Sequence, residues 1–232
     1  MLKYGQFCPV AKATEILGEK WTLLILRELL LGATRFSQLQ KGLSRISPTV
    51  LNKRLQSLQE AGLIIRRCVP DQRGSEYQLT TAGRELYPII MQIAEWGMRW
   101  ARGQMSDDEL DVELLMNNVQ SRIDPEQLPG GRTIVHFHYT DLQRYNHWWI
   151  KVDGRDVDLC IDNPGVDVDV NITTDLRTMT EVWLGDISIR KARDTGKLKI
   201  VAPSAYTRNL RAWLGLYCLA DVRPMTPVKT GV

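Results

Sequence analysis

The sequence predicts an α+β protein in two unlike halves. The first is mainly α with a single two-stranded hairpin. The second is an α+β domain with an antiparallel-rich sheet and packed helices. Three observations carry this. Residues 1–105 hold five segments with apolar residues at helical spacing, and from Arg132 the apolar period switches to two. In the second half strands come in a run and helices follow, the order of a segregated α+β domain. Charge divides as well: residues 1–105 contain fifteen Lys/Arg against eight Asp/Glu, a net of +7, and residues 106–232 contain fifteen against nineteen, a net of −4.

A length of 232 residues allows one large domain or two small ones, and 44% hydrophobic with 25% charged residues is a soluble globular composition. The chain is therefore expected to divide into a basic domain over 1–105, a linker over 106–131 and an acidic domain over 132–232. A basic half suits a polyanionic partner and an acidic half does not, so the two are expected to do different work. The longest strongly apolar run, Trp21–Leu31, is interrupted by Arg27 and Glu28 and falls short of the roughly 20 residues of a membrane span. The N-terminus MLKYGQFCPV lacks a signal-peptide core, so the expected compartment is the cytoplasm, with no membrane partner. Cys8, Cys68, Cys160 and Cys218 are too scattered for a zinc site or a redox CxxC and are expected to be thiols.

Residues 8–18 form a short helix with Pro9 near its start and Gly18 at its end; 19–31 form a more deeply buried one closed by Gly32. Residues 36–43 make a third, with Phe36, Leu39 and Leu43 three and four apart. After a brief turn comes the segment that organises this half, 47–62. Ser47 caps its first turn, Pro48 occupies the first helical position and Gly62 ends it. Leu51, Leu55 and Leu58 share one stripe, which leaves Thr49, Asn52, Lys53 and Gln56 pointing mostly away, with Ser47 at the start. Such side chains hydrogen-bond base edges and phosphates. An ordinary solvated polar face is the plain alternative. A short helix, a turn and a longer polar-faced helix make the helix-turn-helix pattern.

Two strands follow, 63–69 and 76–80, joined by the turn PDQRG. A hairpin directly after a helix-turn-helix is a wing. Arg66 and Arg67 on its first strand are placed to reach phosphate, and Arg73 near its tip to enter a minor groove. Residues 81–104 close the half with two apolar seams. Leu86, Ile90, Ile93, Gly97 and Trp100 are assigned to the chain's own domain; Tyr87, Met91, Ala94, Met98 and Ala101 are assigned to a second subunit, with contact to the C-terminal half of the same chain as the alternative. Pro88 delays or kinks the start of this helix.

Residues 106–131 read as a capped acidic helix start, a bridging helix and a turn-rich loop. Strands then run over 132–141, 147–154, 155–162 and 165–173, with Val166, Val168, Val170 and Ile172 facing in along the last. Helices over 174–184 and 186–195, a strand over 196–202 and a closing helix over 203–219 complete the half. Its many aspartates alternate on strands and lack the spacing of a calcium loop, and no nucleophile–base constellation or phosphate loop is present. No metal, no cofactor and no enzymatic activity are expected.

Two resemblances sharpen these expectations. CPVAKATEILGEKWTLLILRELLLGATRFSQLQKGLSRISPTVLNKRLQSLQEAGLI, with YQLTTAGREL and WGMRW beyond it, resembles the HxlR-type winged-helix transcription regulators, relatives of the MarR group, over residues 6–103. The resemblance implies a homodimer on double-stranded operator DNA, with the first helix, including Cys8 and Pro9, and the last helix at the dimer interface. In some relatives the cysteine at the Cys8 position is a redox sensor; an unreactive interface residue is the alternative. The wing PDQRGSEY is slightly longer than usual in the family, with polar Ser75 where an apolar residue is expected. VDVDVNITTDLRTMTEVWLGDISIRKARDTGKLKIVA resembles the sterol-carrier-protein type of lipid-binding fold over about 130–218. This implies an apolar tunnel for a small molecule, with Trp148, Trp149, Met179, Trp183, Leu184 and Ile187 as candidate lining residues and Arg177 or Arg190 for a ligand carboxylate. Ordinary core packing is the alternative for each apolar one. Together these imply a dimeric DNA-binding regulator whose second domain senses an apolar small molecule. The alternative is an apolar-ligand carrier or protein-interaction module that uses the winged helix as a dimerisation scaffold.

Overall fold

A computed structural model describes residues 3–68 and 74–225. The chain divides into two compact units, residues 1–94 and 95–232. Among the described residues no helix is long and apolar enough to cross a membrane.

The first unit begins with α1 (Pro9–Leu17), α2 (Thr22–Leu30), α3 (Phe36–Gly42) and α4 (Pro48–Glu60). A two-stranded antiparallel hairpin follows, β1 (Ile64–Cys68) and β2 (Ser75–Leu79), then α5 (Thr81–Glu85) and α6 (Tyr87–Trp100), whose second half belongs to the other unit. Proline at the first helical position starts α1 and α4, where its missing N–H removes no helix bond. The core is leucine-rich: Ile25, Leu26 and Leu29 of α2, Leu39 of α3, Leu51, Leu55 and Leu58 of α4, with Ile64 and Tyr77 of the hairpin; the expected stripes of α3 and α4 are part of it. Burying each such side chain stabilises the unit by about 1.5–3 kcal/mol. The expected continuous helix over 81–104 is two helices. α5 is capped by Thr80, whose hydroxyl accepts from the Gly83 N–H at 3.2 Å, and it ends at Leu86, two residues before Pro88. Pro88 has no N–H to donate to the carbonyl four residues back, so the ladder of α5 is not carried on, and the proline stands in the first turn of α6, where the missing N–H costs no helix bond.

The second unit holds α7 (Val112–Arg122) and a five-stranded sheet of β3 (Arg132–Tyr139), β4 (His147–Asp153), β5 (Asp156–Cys160), β6 (Val170–Thr174) and β7 (Leu198–Val201). It also holds α8 (Leu176–Leu184), α9 (Ile189–Asp194), α10 (Ser204–Arg208) and α11 (Leu210–Leu214). The strand order is β5-β4-β3-β6-β7; β3 and β6 are parallel and the other pairs antiparallel. One sheet face, with Val135, Phe137, Trp148, Ile150 and Ile172, packs with Met116, Val119, Met179, Val182 and Trp213 in a single core. Two expectations are corrected here. The aspartate–valine run pairs only from Val170: the Asp169 carboxylate accepts from the Ile134 N–H at 2.8 Å while its own N–H donates to Ile134 O at 3.0 Å, a local closure that stops the ladder. Val166 upstream is exposed. The closing helix over 203–219 is two single-turn helices that break at Asn209, and turns follow Gly215.

The other sheet face carries all three histidines of the chain. His138 and His147 are opposed across β3 and β4 and stacked at 4.5 Å; His136 Nε2 lies 2.9 Å from His147 Nδ1, and His136 Nδ1 lies 3.0 Å from Asn171 Oδ1. Desolvation, then repulsion from His138 and His136, holds His147 below its ordinary pKa of 6.5. The unfolded chain therefore takes up the proton first as pH falls, so the stability His147 contributes is present above pH 6.5 and lost as pH drops through that value towards the lower folded one. Thermal melts of the protein should fall between pH 7.5 and 5.5, and His147→Asn should flatten that dependence. An undiminished slope in the variant would remove His147 as its source.

Candidate nucleic-acid interface

α4 is seated by its inner leucines and held at its start by Ser47, whose hydroxyl accepts from the Val50 N–H at 3.3 Å. Ser47, Thr49, Asn52, Lys53 and Gln56 are all exposed. The helix sorts its cations by face. Arg54, one residue after Lys53, turns inward and is ion-paired with Glu19, whereas Lys53 stands in solvent. Gln56 Nε2 donates to Glu60 Oε1 at 3.0 Å, so reading a base edge requires this amide to exchange a contact within its own helix. Sequence reasoning passed over Arg45, exposed in the turn that leads into α4. The signal was available: a basic residue between the two helices of a helix-turn-helix stands beside the end that meets the duplex.

The wing strand presents Arg66 opposite Tyr77 and Arg67 opposite Glu76. Both are exposed, but neighbours on a strand project to opposite faces, so the two guanidinium groups leave the hairpin on opposite sides. Glu76 is also engaged by Arg35 at 3.8 Å. The candidate Arg73 lies outside the described residues.

On α6 the exposed apolar stripe is not the seam expected from the sequence. Ile89, Ile93, Trp96 and Trp100 are 45, 47, 60 and 36% exposed at spacings of four, three and four. Of the expected seam, Tyr87 is exposed, Met91, Ala94 and Ala101 are half-buried, and Met98 is buried at 6% and so closed to a partner. Leu86 and Ile90 pack on the first unit's core as expected, but Ile93 and Trp100 do not. In the N-terminal segment Cys8 is a half-buried free thiol, Pro9 is exposed, and Phe7 and Val10 are 100 and 73% exposed.

The residues expected to line a cavity divide. Trp148, Met179 and Trp183 are buried in the second unit's core, and Leu184 and Ile187 pack at its margin. Trp149 is corrected: it follows Trp148 on β4 and projects to the opposite sheet face, where it stacks on His136 at 4.9 Å, so it lines no cavity with the others. Arg177 is ion-paired with Asp107. Among the described residues no group of His, Cys, Asp or Glu is placed to hold a metal ion.

A capped polar-faced helix behind a short helix, followed by a basic hairpin, defines a winged helix-turn-helix. Comparison with known proteins agrees: the HxlR-like helix-turn-helix family matches residues 16–105. An uncharacterised HTH-type transcriptional regulator of Mycobacterium tuberculosis H37Rv is 47% identical over 91 residues, which are 38% of this chain and 56% of that protein. The HTH-type transcriptional regulator YvaP of Bacillus subtilis is 36% identical over 101 residues, 43% of this chain and 94% of YvaP. The reduced form of the transcriptional regulator YodB of B. subtilis is 28% identical, covering 40% of this chain and 92% of that one, with a TM-score of 0.36. The chain belongs to the HxlR-like helix-turn-helix family. It spans about half the length of the mycobacterial relative, and each of these similarities covers less than half of the chain itself. The relatives are named as transcriptional regulators, not as enzymes.

Proposed function

We propose that the protein is a homodimeric transcription regulator that lays α4 of each protomer in successive major grooves of a palindromic operator. The observation that carries this is the outward face of α4: Thr49, Asn52, Lys53 and Gln56 in solvent on a helix fixed from behind by Leu51, Leu55 and Leu58. Asn and Gln pair bidentately with adenine, and Lys with guanine or phosphate. Dimer formation is assigned to the exposed stripe Ile89, Ile93, Trp96 and Trp100 along α6, because a coiled-coil-like spacing of large apolar residues in water is stabilised by a second copy. The second unit is read as a sterol-carrier-type sensor of a small molecule. Support comes from Trp183, whose buried Nε1–H has no hydrogen-bond acceptor among the described residues, a cost that a bound acceptor relieves. A ligand regulates only if it binds one state of the dimer better than the other.

The test is fluorescence anisotropy on a fragment of the gene's own promoter, with sedimentation of the free protein. The wild type should sediment as a dimer and bind; Trp96→Glu should sediment as a monomer and lose at least a hundredfold in affinity, since a truncated hot-spot aromatic alone costs about 2 kcal/mol or more and a buried charge adds to it. A wild-type monomer, or a Trp96→Glu dimer, would remove the stripe from the interface. Absence of binding to the promoter fragment would sink the regulator reading.

A further inference from the structure

The second unit is acidic as a whole, yet residues 188–211 carry seven Lys/Arg against Asp194 as their single acid. These residues fold around a groove of about 850 Å³ bounded by α9, the edge strand β7 and the α10–α11 pair. Ile189, Leu198, Ile200 and Leu210 give it an apolar lining, and Arg190, Arg193, Lys199, Arg208 and Arg211 a cationic one. The volume is that of a small-molecule site.

Lysines on an edge strand deter edge-to-edge pairing, which accounts for Lys199. It does not account for arginines brought to the same hollow from α9, α10 and α11. Nor are these cations neutralised in place. Arg190 and Asp194 are 3.7 Å apart on two highly exposed side chains, and the Arg211–Asp221 pair at 2.8 Å is equally open to solvent. Such pairs exchange readily for a better acceptor. Arg193, Lys199 and Arg208 have no ion-pair partner among the described residues. A guanidinium fork matches carboxylate and phosphate oxygens. Leu198 and Leu210 are already buried in the core, but Ile189 and Ile200 are partly exposed and are wetted unless a hydrocarbon covers them.

We propose that this groove binds a small amphiphilic anion, an apolar body ending in one carboxylate or phosphate, with the body on Ile189 and Ile200 and the head between Arg193 and Arg208. The site lies outside the core around Trp183. Its role as the effector site rests on the regulator reading above; its binding of the anion does not.

The test is calorimetric titration of the full chain with decanoate, decyl phosphate, decanol and inorganic phosphate, each below any micellar concentration, alongside the promoter-binding assay. Decanoate or decyl phosphate should bind at one site per chain, at least tenfold tighter than decanol or inorganic phosphate, and the tighter of the two names the head group. Arg193→Glu/Arg208→Glu should weaken that binding tenfold or more, and the milder Arg193→Gln/Arg208→Gln should do so in the same direction with an unchanged melting curve. Equal binding of decanol, or anion binding that both double variants leave intact, would overturn the proposal. A double variant that loses promoter affinity in the absence of any anion would also overturn it, since the groove would then be a DNA-phosphate contact. Anion binding by wild-type protein that fails to retard the promoter would leave the groove standing and remove only the regulator reading.

Discussion

A protein in which Lys53, Arg66 and Arg67 are all alanine should lose three to four decades of operator affinity at 0.1 M salt. Each phosphate neutralised on B-DNA adds about 0.9 to the slope of log K against log salt, and so about 0.9 decade of affinity at 0.1 M. The count of contacts comes from the hairpin register. Arg66 and Arg67 leave β1 on opposite faces, so one of them, not both, faces the duplex. With Lys53 that makes two contacts per protomer and four per dimer, hence a slope shallower by about 3.6. The single variants sharpen the expectation. One of Arg66→Ala and Arg67→Ala should reduce the slope by about 1.8 and the other should leave it unchanged. Asn52→Ala should instead relax base preference by about 1–3 kcal/mol at one position and leave the salt slope alone. A triple variant with the wild-type slope would show that the wing and Lys53 do not touch phosphate. Equal effects of the two single arginine variants would contradict the register argument.

How much of this was legible in the sequence depended on whether a local signal existed. The helix starts at Pro9 and Pro48, the Ser47 cap and the leucine stripe of α4 are all written within a few residues, and the structure places them as read. The exposed stripe of α6 was harder. The 81–104 segment is apolar on more than one face, so the heptad count that takes in Ile90 also takes in Ile93 and Trp100, which the structure leaves exposed beside Ile89 and Trp96. The 165–173 strand failed for another reason. Alternation encodes which face a residue takes, not whether a neighbour is there to pair, and Asp169 ends the pairing through its own side chain. Trp148 and Trp149 show the same rule from the other side: a doublet of tryptophans suggests one pocket, but strand geometry sends them to opposite faces. The basic groove had a partial signal in the run RKARDTGKLK, but its other wall comes from Arg208 and Arg211, which only the fold brings near.

Leu55→Ala should cost the first unit about 2–5 kcal/mol of stability. Leu55 lies between Leu51 and Leu58 on the inner face of α4 and is 1% exposed, so truncation leaves a hole in the centre of the first unit's core, with no solvent to fill it. A domain of this size is held together by roughly 5–15 kcal/mol in all. Each kilocalorie moves the midpoint of a 60–100-residue unit by about 4–8 °C, so the transition of residues 1–94 should fall by roughly 10 °C or more. Differential scanning calorimetry reads this directly, because the second unit has a core of its own that Leu55 does not enter. The informative part is what should not change. At a temperature well below the lowered midpoint, the folded fraction still presents Asn52, Lys53 and Gln56 to solvent, so operator affinity should stay within a few-fold of wild type and the salt slope should be the same. If the slope also collapsed, the outward face of α4 would depend on the detailed packing beneath it, and the separation between the residues that seat the helix and those that read DNA would fail.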